Sequence, residues 1–126
     1  MDMRVLVIDD DPLVGAAIAK ILKNYRVTFS QSATGALGRI QGGGKFGAIV
    51  CDVIMPGLSG IEFHAQVLRI APELAHRMVF VSGFAHSPEI ESFTIREGLR
   101  CVEKPVDPQE LRTVLEQVTG EHPTRH

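Results

Sequence analysis

The chain has 126 residues, 44% apolar and 22% charged, enough for one hydrophobic core and unlike a disordered or fibrous sequence. Thirteen basic against fifteen acidic side chains leave a net charge of −2, which offers no electrostatic footprint for a nucleic-acid backbone or an anionic membrane. The longest apolar runs, such as Val5 to Ile8 and Met78 to Val81, are four residues long, too short for a membrane span or a signal-peptide core, so a cytoplasmic location is expected.

Strand-like and helical patterns alternate along the chain. The first strand-like run, Arg4 to Asp9, ends in Asp9-Asp10. Asp11 and Pro12 then supply a cap and a first-turn residue for a helix, whose Val14, Ile18, Ile21, Leu22 and Tyr25 form one apolar stripe that needs a sheet to cover it. The second strand runs from Arg26 to Ser30. The triple glycine Gly42 to Gly44 before Lys45 reads as a flexible turn, because Phe46 stands where a phosphate loop needs Ser or Thr and a strand follows. The third strand, Ala48 to Asp52, ends in a carboxylate, and the fourth, Met78 to Ser82, ends in Ser82-Gly83. Ser87-Pro88 opens the next helix and Gly98 stops it. The fifth strand, Leu99 to Glu103, leads into Lys104-Pro105, and Asp107-Pro108 opens a last helix with Leu111, Val114, Leu115 and Val118 on one side and Gly120 at its end. Cys51 and Cys101 match neither a disulfide framework nor a zinc spacing, and the five histidines read as solvated side chains.

Five strands alternating with five helices predict a single doubly wound α/β domain, a five-stranded parallel sheet with helices on both faces; if its order is 2-1-3-4-5, one of the common doubly wound orders and the one the family resemblance given below implies, the first and third strands are neighbours. The domain is expected over residues 1–120, with a frayed tail over 121–126 and no DNA-reading domain after it. In that order the third and fifth strands lie about 9.6 Å apart, beyond the reach of a Cys51–Cys101 bridge.

Ligands of open parallel sheets bind beyond the carboxyl ends of the strands. There the order brings Asp9, Asp10 and Asp52 into one small volume, where like charges repel unless a cation intervenes. All-oxygen ligands of high charge suit Mg²⁺ or Mn²⁺. Lys104 adds a fixed positive charge, and the Ser82 hydroxyl beside Gly83 can donate to an oxyanion. The pocket suits a phosphoryl group.

Four separated motifs, VLVIDDDP, CDVIMPGLSG, VFVSGF and VEKPVD, each at a strand end, resemble those of the response-regulator receiver domain of two-component signalling, over Arg4 to Val118. The resemblance implies that Asp52 accepts a phosphoryl group from a histidine of a kinase or histidine phosphotransfer protein. It implies that Asp10, Asp52 and the Ile54 backbone carbonyl bind Mg²⁺ directly and that Asp9 acts through a water. Lys104 would pair with the phosphoryl oxygens, Ser82 would move toward them, and Lys104-Pro105 would be cis. The switch position three before the lysine, usually aromatic, is Cys101. Output would pass to a protein target through the face of the fourth helix, fifth strand and fifth helix. Such a domain modifies and dephosphorylates itself but turns over no free substrate, and it exists both alone and within hybrid kinases. Ile54 and Phe84, apolar where relatives are often polar, are expected to hinder attacking water. Two other readings fit less well. A haloacid-dehalogenase-like phosphatase would use Asp9 as nucleophile and Asp11 as acid/base, but Leu13 stands where Thr or Val is expected. A flavodoxin-like carrier would need a hydroxyl-rich first loop, and there is no Trp to stack on a flavin.

Overall fold

Parallel strand pairing organises the computed structural model, which describes residues 3–120. The elements are β1 (Arg4–Ile8), α1 (Pro12–Ile21), β2 (Arg26–Ser30), α2 (Ala33–Gln41), β3 (Ala48–Asp52), α3 (Gly60–Ile70), α4 (Pro72–Ala75), β4 (Met78–Ser82), α5 (Pro88–Glu97), β5 (Arg100–Glu103) and α6 (Pro108–Thr119). The sheet has the expected order, β2-β1-β3-β4-β5. Every residue of β3 and β4 is buried, as in a parallel sheet covered on both faces, where strands read as unbroken apolar runs.

Alternation along each strand divides the interior in two. Leu6, Ile8, Ile49, Cys51, Met78 and Phe80 face one cluster with Ala36 of α2, Phe63 and Val67 of α3, and Ile90 and Phe93 of α5. Val5, Val7, Val50, Val79, Val81 and Val102 face the other, with Ile18 and Leu22 at the α1 side and Leu111, Val114 and Leu115 of α6. The two predicted helical stripes both lie in this second cluster, Val14, Ile21 and Val118 at its margin. The predicted caps also form: Asp11 accepts from the Leu13 N–H, Ser87 from Ile90 and Asp107 from Gln109. Gly98 and Gly120 leave their helices at φ 69° and 73°.

Four expectations need correction. Asp9 lies just beyond β1, which ends at Ile8. Leu99 precedes β5, since its N–H donates to the Thr94 carbonyl in the turn that closes α5. There are six helices among the described residues, because Pro72 cannot extend α3 and instead starts a single turn, α4; the predicted output face is therefore α5, β5 and α6. Finally, His64 is not solvated. It is 3% exposed and meets the rings of Phe80 and Phe93 edge-on at centroid distances of 6.3 and 5.4 Å, tying α3 to β4 and α5. Burial is the main cause holding its imidazole below the ordinary histidine pKa. The predicted tail, with His122 and His126, lies outside the described residues.

Candidate functional site

Register brings the acids together. Ile8 of β1 pairs with Cys51 of β3, so the next residues, Asp9 and Asp52, leave adjacent strands side by side at the carboxyl edge. Asp9 is fully buried, Asp52 is 6% exposed, and Asp10 is exposed. One carboxylate oxygen from each of the three lies within 4.8 Å of the other two.

Lys104, brought in by the end of β5, spans two of them. Its Nζ donates to Asp9 Oδ2 at 3.1 Å and to Asp52 Oδ2 at 3.0 Å. The opposite oxygens are held by backbone: Asp9 Oδ1 accepts from the Asp11 N–H at 2.9 Å, and Asp52 Oδ1 from the Ile54 N–H at 3.2 Å. Burial raises the Asp52 pKa above the ordinary carboxylate value; Lys104 opposes the shift and Asp9 adds to it. Burial alone would lower the Lys104 pKa, but its bonds to Asp52 and Asp9 outweigh that and leave it raised. Three hard oxygen donors share this volume, and only two of them contact the lysine. That donor set fits a divalent cation of the Mg²⁺ type.

Ser82 ends β4 and is 1% exposed. Its carbonyl accepts from the Lys104 N–H at 2.9 Å, which locks the end of β5 to β4, and its hydroxyl accepts from the Phe84 N–H at 2.9 Å. The hydroxyl thus stabilises its own loop in this state of the protein. Next to it, Gly83 has open space where a side chain would begin. The Lys104–Pro105 peptide is cis. Cys101 is half-buried and pairs with Phe80, which pairs on its other side with Cys51. The two free thiols therefore flank β4 with a strand between them. Burial, then Asp52 and Glu103, push the Cys101 thiol up to about 11, so it stays protonated at neutral pH. Ile54 and Phe84 are 54% and 63% exposed and border a cavity of about 450 Å³ with Met55, Ile61 and Ile90 among its walls.

Gly60 belongs to the site although motif reading passed over it. A Cβ there would lie 2.6 Å from the Asp52 carbonyl oxygen, so the start of α3 packs directly on the strand end that carries the central carboxylate. Its presence within the run CDVIMPGLSG was the available signal.

Among the described residues no helix is long and apolar enough to cross a membrane. The response regulator receiver domain family matches residues 5–116. A two-component response regulator of rice is 32% identical over 122 residues, covering 93% of this chain and 71% of its own length. The transcriptional regulatory protein YbdJ of Bacillus subtilis is 26% identical over 121 residues, covering 94% of this chain; the chain spans about half, 52%, of that relative's length. Among solved structures, a CheY-like receiver domain protein of Methanospirillum hungatei superposes with a TM-score of 0.81 at 24% identity, over 94% of each chain. The receiver domain of a Francisella response regulator does so with a TM-score of 0.79 at 25% identity, over 94% of this chain and 98% of the other. Similarity that runs through the whole sheet and both its helical layers, and is not confined to one strand end, makes this chain a member of the response regulator receiver domain family of two-component systems.

Proposed function

We propose that Asp52 is a phosphoacceptor that takes a phosphoryl group from a phosphohistidine of a histidine kinase or histidine phosphotransfer protein, and that residues 1–120 act in the cytoplasm as a phosphorylation-driven switch. The observation that carries this reading is the Lys104 ammonium, held 3.0 Å from Asp52 and 3.1 Å from Asp9 beside a third carboxylate. In the transfer an Asp52 carboxylate oxygen attacks phosphorus, the phosphorus–nitrogen bond breaks, and the imidazole leaves as the neutral base after taking a proton. Burial readies Asp52 by stripping water from it, while the Ile54 N–H holds one oxygen and so orients the other. Lys104 can follow the negative charge onto the phosphoryl oxygens, a preorganised electrostatic contribution. Mg²⁺ or Mn²⁺, held by Asp10, Asp52 and the Ile54 carbonyl with Asp9 behind a water, would supply the further positive charge that lets two anions approach.

The phosphatase alternative loses its residues to other tasks. Asp9 is fully buried and bonded to Lys104 and the Asp11 N–H, and the Asp11 carboxylate caps α1. Receiver domains are signalling domains, and here the output of the added charge would pass through Ser82 and Cys101 to a protein target at the α5, β5 and α6 face. A small thiol at 101 cannot swing as a ring would, so the response falls to the β4–α5 loop and α5. Reversing a 1:99 population would take about 5.5 kcal/mol of differential stabilisation.

The test is incubation with Mg²⁺ and acetyl phosphate, read by intact mass. The wild type should gain one phosphoryl group and Asp52→Ala none; equal modification of the variant would refute the assignment. The exposed apolar pair Ile54 and Phe84 should also slow attack by water on the product. After donor removal a half-life of minutes or longer is expected, shortened by Ile54→Asn or Phe84→Asn. Decay within seconds in the wild type would show that these side chains give no protection.

A further inference from the structure

The opposite edge of the sheet has the opposite sign. Arg26, Arg4 and Arg100 open β2, β1 and β5, while Lys45 and Arg77 stand just before β3 and β4. Two backbone hydrogen bonds fix the middle of this row: Gly47 donates to the Arg4 carbonyl at 2.7 Å, and Ile49 to the Arg77 carbonyl at 3.1 Å. The net charge of −2 therefore conceals an acidic end and a basic end, and distribution rather than sum decides what a surface attracts.

The basic end also has a recess. A cavity of about 580 Å³ opens between the end of α2, the turn before β3 and the α3–α4 junction. Ile40, Phe46, Ile70 and Leu74 supply apolar wall, and Lys45 and Arg77 stand among the lining residues. The Arg4 guanidinium lies 5.3 Å from the centre of the Phe46 ring. Ile70 is 40% exposed, so part of this apolar wall is open to solvent. Among the described residues neither Arg4, Lys45 nor Arg77 enters an ion pair. Glu73, also on the lining, is the acid that sets a limit on how much negative charge the recess welcomes.

We propose that this basal recess docks an acidic peptide segment of a partner protein, one or two of whose large apolar side chains enter between Ile40, Phe46, Ile70 and Leu74 while its carboxylates meet Arg4, Lys45 and Arg77. Charge complementarity argues for this occupant. Of the three cations, Arg4 at the start of β1 and Arg77 just before β4 lie about 10 Å apart, two strand spacings, the length of roughly three residues of extended chain, with Lys45 in the turn that leads into β3 between them. A single small carboxylate could satisfy only one of them. A polynucleotide would engage roughly six to ten cations with no use for an apolar floor, and a bilayer surface would not fill a concave recess. Because the recess is at the far end of the sheet from Asp52, the peptide and a phosphodonor could bind at the same time.

The probe is a fluorescein-labelled decapeptide alternating glutamate with leucine and phenylalanine, titrated by anisotropy with the full 126-residue chain. Saturable binding is expected, weakened by at least about tenfold in the Lys45→Glu/Arg77→Glu double variant and also weakened in Ile70→Ser. The same peptide with lysine for glutamate should not bind. Circular dichroism confirms that the variants fold, and Arg77→Ala, at an exposed position, provides a milder substitution if the double variant does not. Phosphoryl acceptance by Asp52 should be unchanged in every variant, so this proposal and the phosphoacceptor assignment fail separately. No saturable binding by the wild type, or equal binding by the charge-reversed variant, would overturn the docking site. So would phosphatidylglycerol vesicles or duplex DNA that displace the peptide and whose own binding is lost in the Lys45→Glu/Arg77→Glu variant.

Discussion

Replacing Lys104 with methionine is expected to lower stability at pH 7.5 by about 2 to 3 kcal/mol, at or just below the lower bound of the range for stripping one partner from a buried charge pair. The discount reflects the lysine's own 25% side-chain exposure, which lets water screen part of the interaction. Methionine keeps most of the stem's apolar volume, so what is lost is the ammonium between Asp9 and Asp52. The penalty should depend on pH in a defined direction. The Asp52 pKa is already raised by burial, with Lys104 opposing the shift, so removing Lys104 raises it further. A carboxyl whose folded pKa exceeds its unfolded value, about 3.9, contributes stability that is full below the unfolded value and is lost as pH rises through the folded one. The gap between wild type and Lys104→Met should therefore narrow as pH falls from 7.5 toward 4.5. Urea unfolding at both values, in buffer containing chelator, measures it. Millimolar Mg²⁺ should also narrow the gap, because the variant, whose carboxylates lack the ammonium, gains more than the wild type from a cation that binds the folded state alone. A penalty under about 0.5 kcal/mol at pH 7.5, or one that does not change with pH, would mean that Lys104 does not neutralise the carboxylates in the resting protein.

This coupling shows what the sequence could and could not disclose. The strands were legible because β1, β3 and β4 are buried on both faces and leave unbroken apolar runs, and α1 and α6 because each must turn a continuous stripe toward the sheet. The helix starts at Asp11-Pro12, Ser87-Pro88 and Asp107-Pro108 were legible because capping is local chemistry. That acids and a lysine stand at strand ends was also readable. The bonds joining them were not, since Lys104 reaches Asp52 and Asp9 across 52 and 95 positions of chain. The same limit hid His64, whose burial depends on Phe80 and Phe93 arriving from other elements. It hid α4 differently: Pro72 was a visible break, but nothing local showed that the chain would turn once more and bury Leu74 and Ala75. The basic row escaped notice because composition sums charge over the surface, whereas Arg4, Lys45 and Arg77 become neighbours only when their strands align.

Gly60→Ala is expected to cost roughly 3 kcal/mol, the upper part of the usual range for overpacking, even though alanine is the better helix former. The new Cβ would fall 2.6 Å from the Asp52 carbonyl oxygen, 2.8 Å from Val53 Cα and 3.2 Å from a carbon of the Phe80 ring. The two shortest contacts are to backbone, so no rotamer change relieves them. Nor can the helix start drift freely. The Gly60 N–H donates to the Val53 carbonyl at 2.8 Å, and Ser59 and Glu62 close a reciprocal capping box around the first turn of α3. Either these bonds stretch or the end of β3 moves, and the residue that moves with it is Asp52. Phosphoryl acceptance should accordingly slow by about a hundredfold if the carboxylate shifts by as much as an ångström. Gly38→Ala is the control: it lies inside α2 with nothing within 4 Å of a built Cβ, and it should gain about 0.5 to 1 kcal/mol from helix propensity alone. Chemical denaturation of the two variants side by side separates the terms. If Gly60→Ala matches the wild type in midpoint and in acetyl phosphate modification, the close approach of α3 to the acceptor strand does not constrain the site.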